Sequence, residues 1–268
     1  MRRPSHLTAR ARPAGWADTA LAKSLAIAQG ELEQIRHDPY DILTRAVQPF
    51  LWLAVFGQAM SRLGAVPTGP YTYLQFLAPG ILAQSVVFIA IFHGIAVIWE
   101  RDLGILQKML VTPTPPFSII AGKMGAAGLL GIAQAVIVLV VSLVMEIPMH
   151  HTPVAILGAF VTVILGAGFF AGFSMIMAAL VRSRERFRGI GQVLTMPLSF
   201  ASNALYPLSI MPRWLKDITV ANPLSYLVDA LRGLLLGSPR HLLLDYGVLL
   251  RAALVAAALA AVLYPRLG

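Results

Sequence analysis

The stretch from Tyr73 to Trp99 reads YLQFLAPGILAQSVVFIAIFHGIAVIW and contains no Asp, Glu, Lys or Arg. Charged residues are missing from four long intervals of the chain, which are 63–99, 124–145, 147–181 and 189–212. A helix that crosses a bilayer needs about 20 mostly apolar residues, and a charge at its centre costs at least about 2.5 kcal/mol. The charge pattern therefore predicts a protein that crosses a membrane several times.

The composition agrees with this class. The chain has 268 residues, of which 57% are hydrophobic and 12% are charged, so a soluble domain would lack the polar surface to cover itself. The net charge of +9 comes from Lys and Arg in short clusters between apolar stretches, which favours a topology signal over nucleic-acid binding. The absence of Cys excludes disulfides, thiolate metal sites and thiol catalysis.

We predict an all-α membrane protein with six transmembrane helices. The spans are expected at about 45–63, 73–99, 119–145, 153–181, 189–210 and 242–264. Residues 1–16 are predicted to form a disordered cytoplasmic tail, and residues 17–38 an amphipathic helix that lies in the membrane interface or packs on a soluble partner. The transmembrane domain is then residues 39–268.

The orientation follows from the positive charges. If the N-terminus is cytoplasmic, fifteen of the 21 Lys and Arg residues fall on the cytoplasmic side and six on the other side. This asymmetry predicts that both termini are cytoplasmic. The cytoplasmic set includes Arg45, at the edge of the first span, and the cluster at 182–188. Arg251 lies inside the sixth span, where it either reaches the outer head groups or faces a polar cavity.

A second amphipathic element is predicted at residues 100–110. The segment begins with acidic residues and ends near Lys108, the order that a helix dipole favours. Its apolar residues form one stripe, made of Leu103, Leu106, Met109 and Leu110. The proline-rich run 111–116 cannot continue a helix. We therefore expect a short helix outside the bilayer, covered by the membrane surface, by the ends of its own spans or by another protein.

The segment between spans five and six is the most distinctive in composition. Asn222 is well placed as an N-cap, Pro223 as the first helical residue and Gly237 as the end of the helix. Leu224, Leu227, Val228, Leu231, Leu234 and Leu235 form one face, with Asp229 and Arg232 predicted on the other. Because this helix is short for a span, we expect a re-entrant or half-inserted helix on the outer side.

Polar and small residues inside the predicted spans indicate either contacts between helices or a path for the substrate. Gln84, His93 and Gln134 either form helix–helix hydrogen bonds or line a conduit, together with Phe88 and Phe92. Gly168 and Gly172 have the spacing of close helix packing. The pair His150–His151 beside Glu146 is better read as a solvated loop than as a metal site, because no further ligand lies near in sequence.

The chain resembles the membrane subunit of ABC-2 type exporters, particularly the daunorubicin/doxorubicin-resistance type. The resemblance rests on the amphipathic N-terminal helix, six spans, the loop 100–116 and the segment 203–237, where it is most specific. Its outer signature residues are Tyr206, Pro207, Met211, Pro212, Trp214, Leu215, Asn222, Pro223, Tyr226, Asp229, Arg232 and Gly233. It implies that a loop corresponding to residues 100–116 couples the permease to an ATPase. The coupling residues would be Glu100, Arg101, Leu103, Gly104, Leu106, Lys108, Met109, Leu110 and Pro113.

The same resemblance implies an assembly of two permease subunits, with a homodimer favoured, and two ABC-type ATPase chains. The sequence contains no Gly-x-x-x-x-Gly-Lys-Ser/Thr phosphate loop, so ATP and Mg are expected on the separate ATPase. The chain itself is expected to be a transport subunit and not an enzyme, with no cofactor, no metal and no nucleic-acid partner. Membrane lipids are its expected surroundings.

The predicted function is export of a hydrophobic or amphipathic substrate, such as a drug, lipid or glycolipid, across the cell membrane. Apolar spans without internal charge suit such a substrate better than a free sugar or an ion. Two alternatives stay open at this point. One is a polysaccharide or glycoconjugate exporter permease of the same superfamily, and the other is a channel or structural membrane protein that is not coupled to ATP.

Overall fold

The computed structural model describes residues 39–64, 66–104, 116–181, 183–238 and 241–263. Regular secondary structure in these ranges is entirely helical. The α-helices are α1 (Pro39–Leu51), α2 (Gln58–Leu63), α3 (Tyr73–Asp102), α4 (Pro116–Val144), α5 (Pro153–Val181), α6 (Arg184–Phe200), α7 (Arg213–Ala221), α8 (Pro223–Leu236) and α9 (Leu242–Leu263). The predicted tail and interfacial helix before residue 39 lie outside the described residues.

Four helices are long and apolar enough to cross a membrane, namely α3, α4, α5 and α9. This finding confirms the prediction of an all-α protein with several apolar spans. Helix α5 lies at the centre, where it packs against α3, α4, α8 and α9. Large apolar side chains are exposed around the outside of the bundle, for example Leu143, Leu157 and Leu254, as expected of helices that face lipid.

Glycines allow the central helices to approach closely. A Cβ atom on Gly166 would lie 2.7 Å from Leu227 of α8, and one on Gly131 would lie 2.9 Å from Val163 of α5. The predicted close packing is also present at Gly172, where a Cβ would lie 3.0 Å from Ala256 of α9. At Gly168 the nearest atom would be 3.8 Å away, which is ordinary contact. The small-residue prediction is therefore right for one of its two glycines.

The first and fifth predicted spans differ from regular membrane helices. In the first, Pro49 lies inside α1, and Trp52–Gly57 forms a π-helical segment before α2, which ends at Gly64 in the left-handed conformation. In the fifth, α6 ends at Phe200 and not at the predicted residue 210. Its 17 residues cover about 25 Å, less than the roughly 30 Å of a hydrocarbon core. Beyond the four long helices, the six-span topology stays a prediction.

The two ends of the bundle are defined by contacts between successive helices. At one end, Lys123 near the start of α4 pairs with Glu100 near the end of α3. At the other, Gly158 near the start of α5 contacts Leu234 of α8, and α8 reaches this end from Asn222, which lies deeper in the bundle because Leu227 contacts Gly166. We call these the Glu100 end and the Asn222 end.

Candidate functional site

The Asn222 end is built around a break in the helical backbone. After α6 ends at Phe200, residues 201–207 run without helical structure before a short 3-10 turn at Leu208–Ile210. Irregular backbone in apolar surroundings needs partners for its polar groups. The Asn222 amide supplies two of them, because its Nδ2 donates to the carbonyl oxygens of Leu198 and Ala201, each at 2.8 Å.

Other side chains bind carbonyl oxygens farther along the same segment. Arg232 donates from Nη2 to the Asn203 oxygen at 3.0 Å, and Tyr73 donates to the Leu205 oxygen at 3.0 Å. The segment also lies directly on α3, since a Cβ atom on Gly80 would be 2.1 Å from the Ala204 oxygen. The break is therefore held by both hydrogen bonds and backbone contact.

Arg232 connects this segment to α3. Its guanidinium lies 3.7 Å from the centre of the Phe76 ring and also donates to the Phe76 carbonyl oxygen at 3.2 Å. The Asp229 carboxylate is 3.9 Å away and accepts a hydrogen bond from the Asn203 amide. The nearby Asp229 carboxylate favours the charged form of the guanidinium.

The sequence did not predict that Arg232 would be buried. The side chain is 7% exposed, because its partners are carbonyl groups in the interior and not water. The predicted ends of the helix are confirmed. Asn222 accepts from the Leu224 amide, Pro223 is the first helical residue, and Gly237 ends the helix with φ of 70°. All six predicted apolar-face residues are buried. With 14 residues, α8 covers about 21 Å.

An apolar groove of 510 Å³ lies between α6 and α7 at the same end. Phe200 of α6 and Trp214, Leu215 and Ile218 of α7 are among the residues that line it. Asn222 and Pro223 border it as well, so four of the sequence-predicted signature residues meet here.

The remaining signature residues are buried or half-buried, precede a helix or bind nearby backbone. Met211 and Gly233 are buried, whereas Pro212 is exposed and precedes the first residue of α7. Tyr206 and Tyr226 donate to the carbonyl oxygens of Phe200 and Val220, respectively, and Pro207 is half-buried.

The Glu100 end differs from the predicted short helix that begins at residue 100. Residues 100–102 form the last turn of α3, which Gly104 ends with φ of 71°, a conformation that glycine adopts readily. Leu103 is 62% exposed at this end. The other predicted coupling residues lie outside the described residues, namely Leu106, Lys108, Met109, Leu110 and Pro113.

Glu100 and Arg101 make ion pairs within the chain. Lys123 is 1% exposed and its Nζ lies 2.6 Å from Glu100 Oε1. Arg101 pairs with Asp102 at 2.9 Å, and Asp102 also pairs with Arg184 of α6 at 2.8 Å. These contacts tie the ends of α3, α4 and α6 together.

Sequence reasoning missed the structural roles of Lys123 and Arg184. A signal for Lys123 was available, because a Lys inside a helix between two apolar stretches needs an acidic partner at the same depth. Arg184 also lies 3.9 Å from the centre of the Trp99 ring, so the start of α6 is anchored by a charge pair and an aromatic contact.

The middle of the bundle contains the predicted polar residues. Gln84, His93 and Gln134 are all buried, and Gln134 donates from Nε2 to the Arg45 carbonyl oxygen at 3.3 Å. The Phe88 and Phe92 rings lie 4.6 Å apart. A cavity of 170 Å³ between α1, α3 and α4 brings Phe88 and Gln134 together, but the other three residues are not among those that line it.

No set of three or more His, Asp or Glu side chains that could hold a metal ion occurs among the residues that the structure describes. His150 instead donates its backbone N–H to the Leu235 carbonyl oxygen at 2.7 Å, next to the end of α8.

Comparison with known proteins gives the same family. The chain is 29% identical over 201 residues to the transport permease ycf38 of Cyanophora paradoxa, which covers 74% of this chain and 69% of the relative. It is 26% identical to the daunorubicin resistance ABC transporter permease protein DrrB1 of Streptomyces coeruleorubidus, over 87% of this chain and 81% of the relative. It is 25% identical to the inner membrane transport permease YadH of Escherichia coli, over 74% and 77% respectively. Residues 23–236 match the ABC-2 type transporter family, and the chain therefore belongs to this family of membrane transport permeases.

Proposed function

We propose that this permease exports a hydrophobic or amphipathic substrate, such as a drug, lipid or glycolipid, outward across the cell membrane. The observation that carries the proposal is the apolar groove between α6 and α7 at the Asn222 end. A groove lined by Phe200, Trp214 and Ile218 suits an apolar molecule that enters from the bilayer. The name of the Streptomyces relative, a daunorubicin resistance permease, supports the drug class.

The test of this function is substrate-stimulated ATP hydrolysis and transport in proteoliposomes that contain the permease and its ATPase. Ala221 lines the groove, so Ala221→Trp should fill it and abolish stimulation by drugs while basal hydrolysis continues. Val220→Trp is the matched control, because Val220 is an exposed neighbour in α7 that does not line the groove. Equal stimulation of both variants would contradict a substrate site in the groove.

The energy source in this proposal is a separate ABC-type ATPase that binds ATP and Mg. Permeases of this family generally work with such an ATPase. We infer that residues 103–113 dock on it, since Leu103 is exposed at the Glu100 end where α3 and α4 leave the bundle. Apolar anchors dominate most docking surfaces, with truncations costing on the order of 1–3 kcal/mol, whereas exposed ion pairs contribute less than about 1 kcal/mol.

The docking proposal is tested by two substitutions in the loop. Leu106→Asp should detach or uncouple the ATPase far more than Lys108→Ala, without altering membrane insertion. Co-purification of the ATPase and substrate-stimulated hydrolysis are the two measurements. Normal association and hydrolysis with Leu106→Asp would place the coupling element elsewhere, for example in the 17–38 segment or the 182–188 cluster.

We further propose that two permease copies, preferably identical, assemble with two ATPase chains. Helix α6 presents an exposed face with Gly189, Gln192 and Val193. A small residue and an amide on an exposed helix face favour contact with another helix over contact with lipid tails. Val193→Cys should therefore form a cross-linked dimer in membranes, and an active complex with a single permease copy would contradict this assembly.

The proposed location is the cell membrane, with both termini and the Glu100 end in the cytoplasm. The support is the excess of Lys and Arg that this orientation places on the cytoplasmic side.

A further inference from the structure

The cavity between α1, α3 and α4 is lined by several polar residues although it lies between the apolar centres of two long helices. Its volume is 170 Å³, and its lining includes Arg45, Gln48, Ser85, Phe88 and Gln134. We call it the inner cavity. It is separate from the apolar groove at the Asn222 end, with which it shares no lining residue.

The depth of the inner cavity follows from the helices that form it. Ser85 and Phe88 lie near the middle of the charge-free stretch 73–99 of α3, and Gln134 near the middle of the stretch 124–145 of α4. The hydrogen bond from Gln134 to the Arg45 carbonyl fixes α1 at the same level. This part of α1 therefore packs beside the centres of α3 and α4, with the Arg45 backbone at the level of Gln134. Polar residues at this depth often mark a substrate path.

Gln134 gives the cavity a chemical preference. The residue is 2% exposed, and its Oε1 accepts no hydrogen bond within the described part of the chain. A buried acceptor of this kind is satisfied best by a ligand that donates a hydrogen bond. Ser85 is also buried, and its Oγ donates to the Ile81 carbonyl, so its lone pairs remain available to a second donor.

The size and the lining narrow the ligand further. A volume of 170 Å³ equals that of about six water molecules, which is enough for one ring but not for a whole lipid or drug. Phe88 offers an aromatic surface for the apolar side of such a ring. A neutral donor also avoids the cost of bringing a charge to this depth. Hydroxyl groups satisfy these features.

We propose that the inner cavity binds a neutral, hydroxylated group, about the size of one sugar ring, carried by an amphipathic substrate. This proposal rests on the proposed export function, because it assigns a head-group site to the same substrate class. The apolar remainder of the substrate would stay among the helices or in lipid. Gln134 is then a binding residue that accepts a hydrogen bond from the ligand.

The experiment uses three probes with one octyl tail and different head groups. Purified full-length permease in phosphatidylcholine nanodiscs is titrated with octyl glucoside, octyl phosphate or octyltrimethylammonium, at concentrations that leave the nanodiscs intact. The thermal unfolding midpoint is followed. Octyl glucoside should raise this midpoint at the lowest membrane-bound concentration. The partitioning of each probe into empty nanodiscs is measured first, because the three head groups insert into the bilayer to different extents.

Substitutions assign the effect to the cavity. Gln134→Leu keeps the side-chain size and removes the acceptor together with the hydrogen bond to the Arg45 carbonyl. Loss of the acceptor should weaken the glucoside effect about tenfold, the loss expected for one buried hydrogen bond. Gln58→Leu is the control, because Gln58 is an exposed amide on α2 outside the cavity. If Gln134→Leu does not fold, Gln134→Asn, which withdraws the amide by one methylene, should give a loss in the same direction.

Equal effects of the three probes on the wild-type chain would overturn the proposal, since they would show no preference for a hydroxylated head group. An unchanged glucoside effect in the Gln134 variants would overturn it as well. Because no ATPase and no transport step enters this assay, a failure of the head-group site is distinguishable from a failure of the export function.

Discussion

Arg232 shows how one buried cation holds an irregular segment in apolar surroundings. Its side chain is shared between the carbonyl groups of Phe76 and Asn203, which lie on different elements. Arg232→Leu should therefore leave two acceptors without their donor, at about 1–3 kcal/mol each. We expect a clear drop in the thermal unfolding midpoint of the purified protein. Arg251→Leu is the control, because Arg251 is exposed on α9 and its loss should change the midpoint little.

Gly80 is the second residue on which the Asn222 end depends. A methyl group there would meet the Ala204 backbone oxygen at 2.1 Å, and backbone cannot rotate away as a side chain can. Gly80→Ala should lower stability by about 1–3 kcal/mol or more. Gly125→Ala is the matched control in α4, where a Cβ meets nothing within 4 Å and helix propensity favours alanine. Equal unfolding midpoints for the two variants would mean that the 201–207 segment does not press on α3.

At the scale of elements, the Glu100–Lys123 pair fixes α3 against α4. Because Lys123 is almost fully buried, Lys123→Glu alone should destabilise the bundle by about 3–5 kcal/mol through two facing acids. The exchanged pair, Glu100→Lys with Lys123→Glu, should regain part of this loss. Thermal unfolding of the wild type, both single variants and the double variant measures the interaction. Additive effects would contradict a direct pairing of these side chains.

A structural feature could be predicted from sequence when the residues that interact lie close together along the chain. The ends of α8 were predicted correctly, because Asn222, Pro223 and Gly237 act on their own helix. The buried state of Arg232 was not, since Phe76 is 156 residues away and no local pattern indicates that contact. The end of α6 at Phe200 was missed for a related reason, because the amide that satisfies the broken backbone comes from Asn222.

At the scale of the whole molecule, the orientation can be tested directly because the chain contains no cysteine. Ser183 precedes α6, whereas Ser238 follows α8 at the opposite end of the bundle. In intact cells, an impermeant thiol reagent should label Ser238→Cys and should reach Ser183→Cys only after the membrane is permeabilised. Labelling of Ser183→Cys from outside would reverse the proposed orientation.

The π-helical segment Trp52–Gly57 sets the rotational phase between the two halves of the first helix. A π-turn contains one residue more than an α-turn and advances the following residues by about 100°. The end of the segment directs Gly57 at Leu74 and Leu77 of α3, while the helix before it brings Arg45 and Gln48 to the inner cavity. Removing one residue from the segment would rotate Arg45 and Gln48 by about 100° relative to Gly57, so they would no longer line the cavity. Aligned relatives that lack this residue would thus keep the same amino acids at these positions and lose the wall that they form.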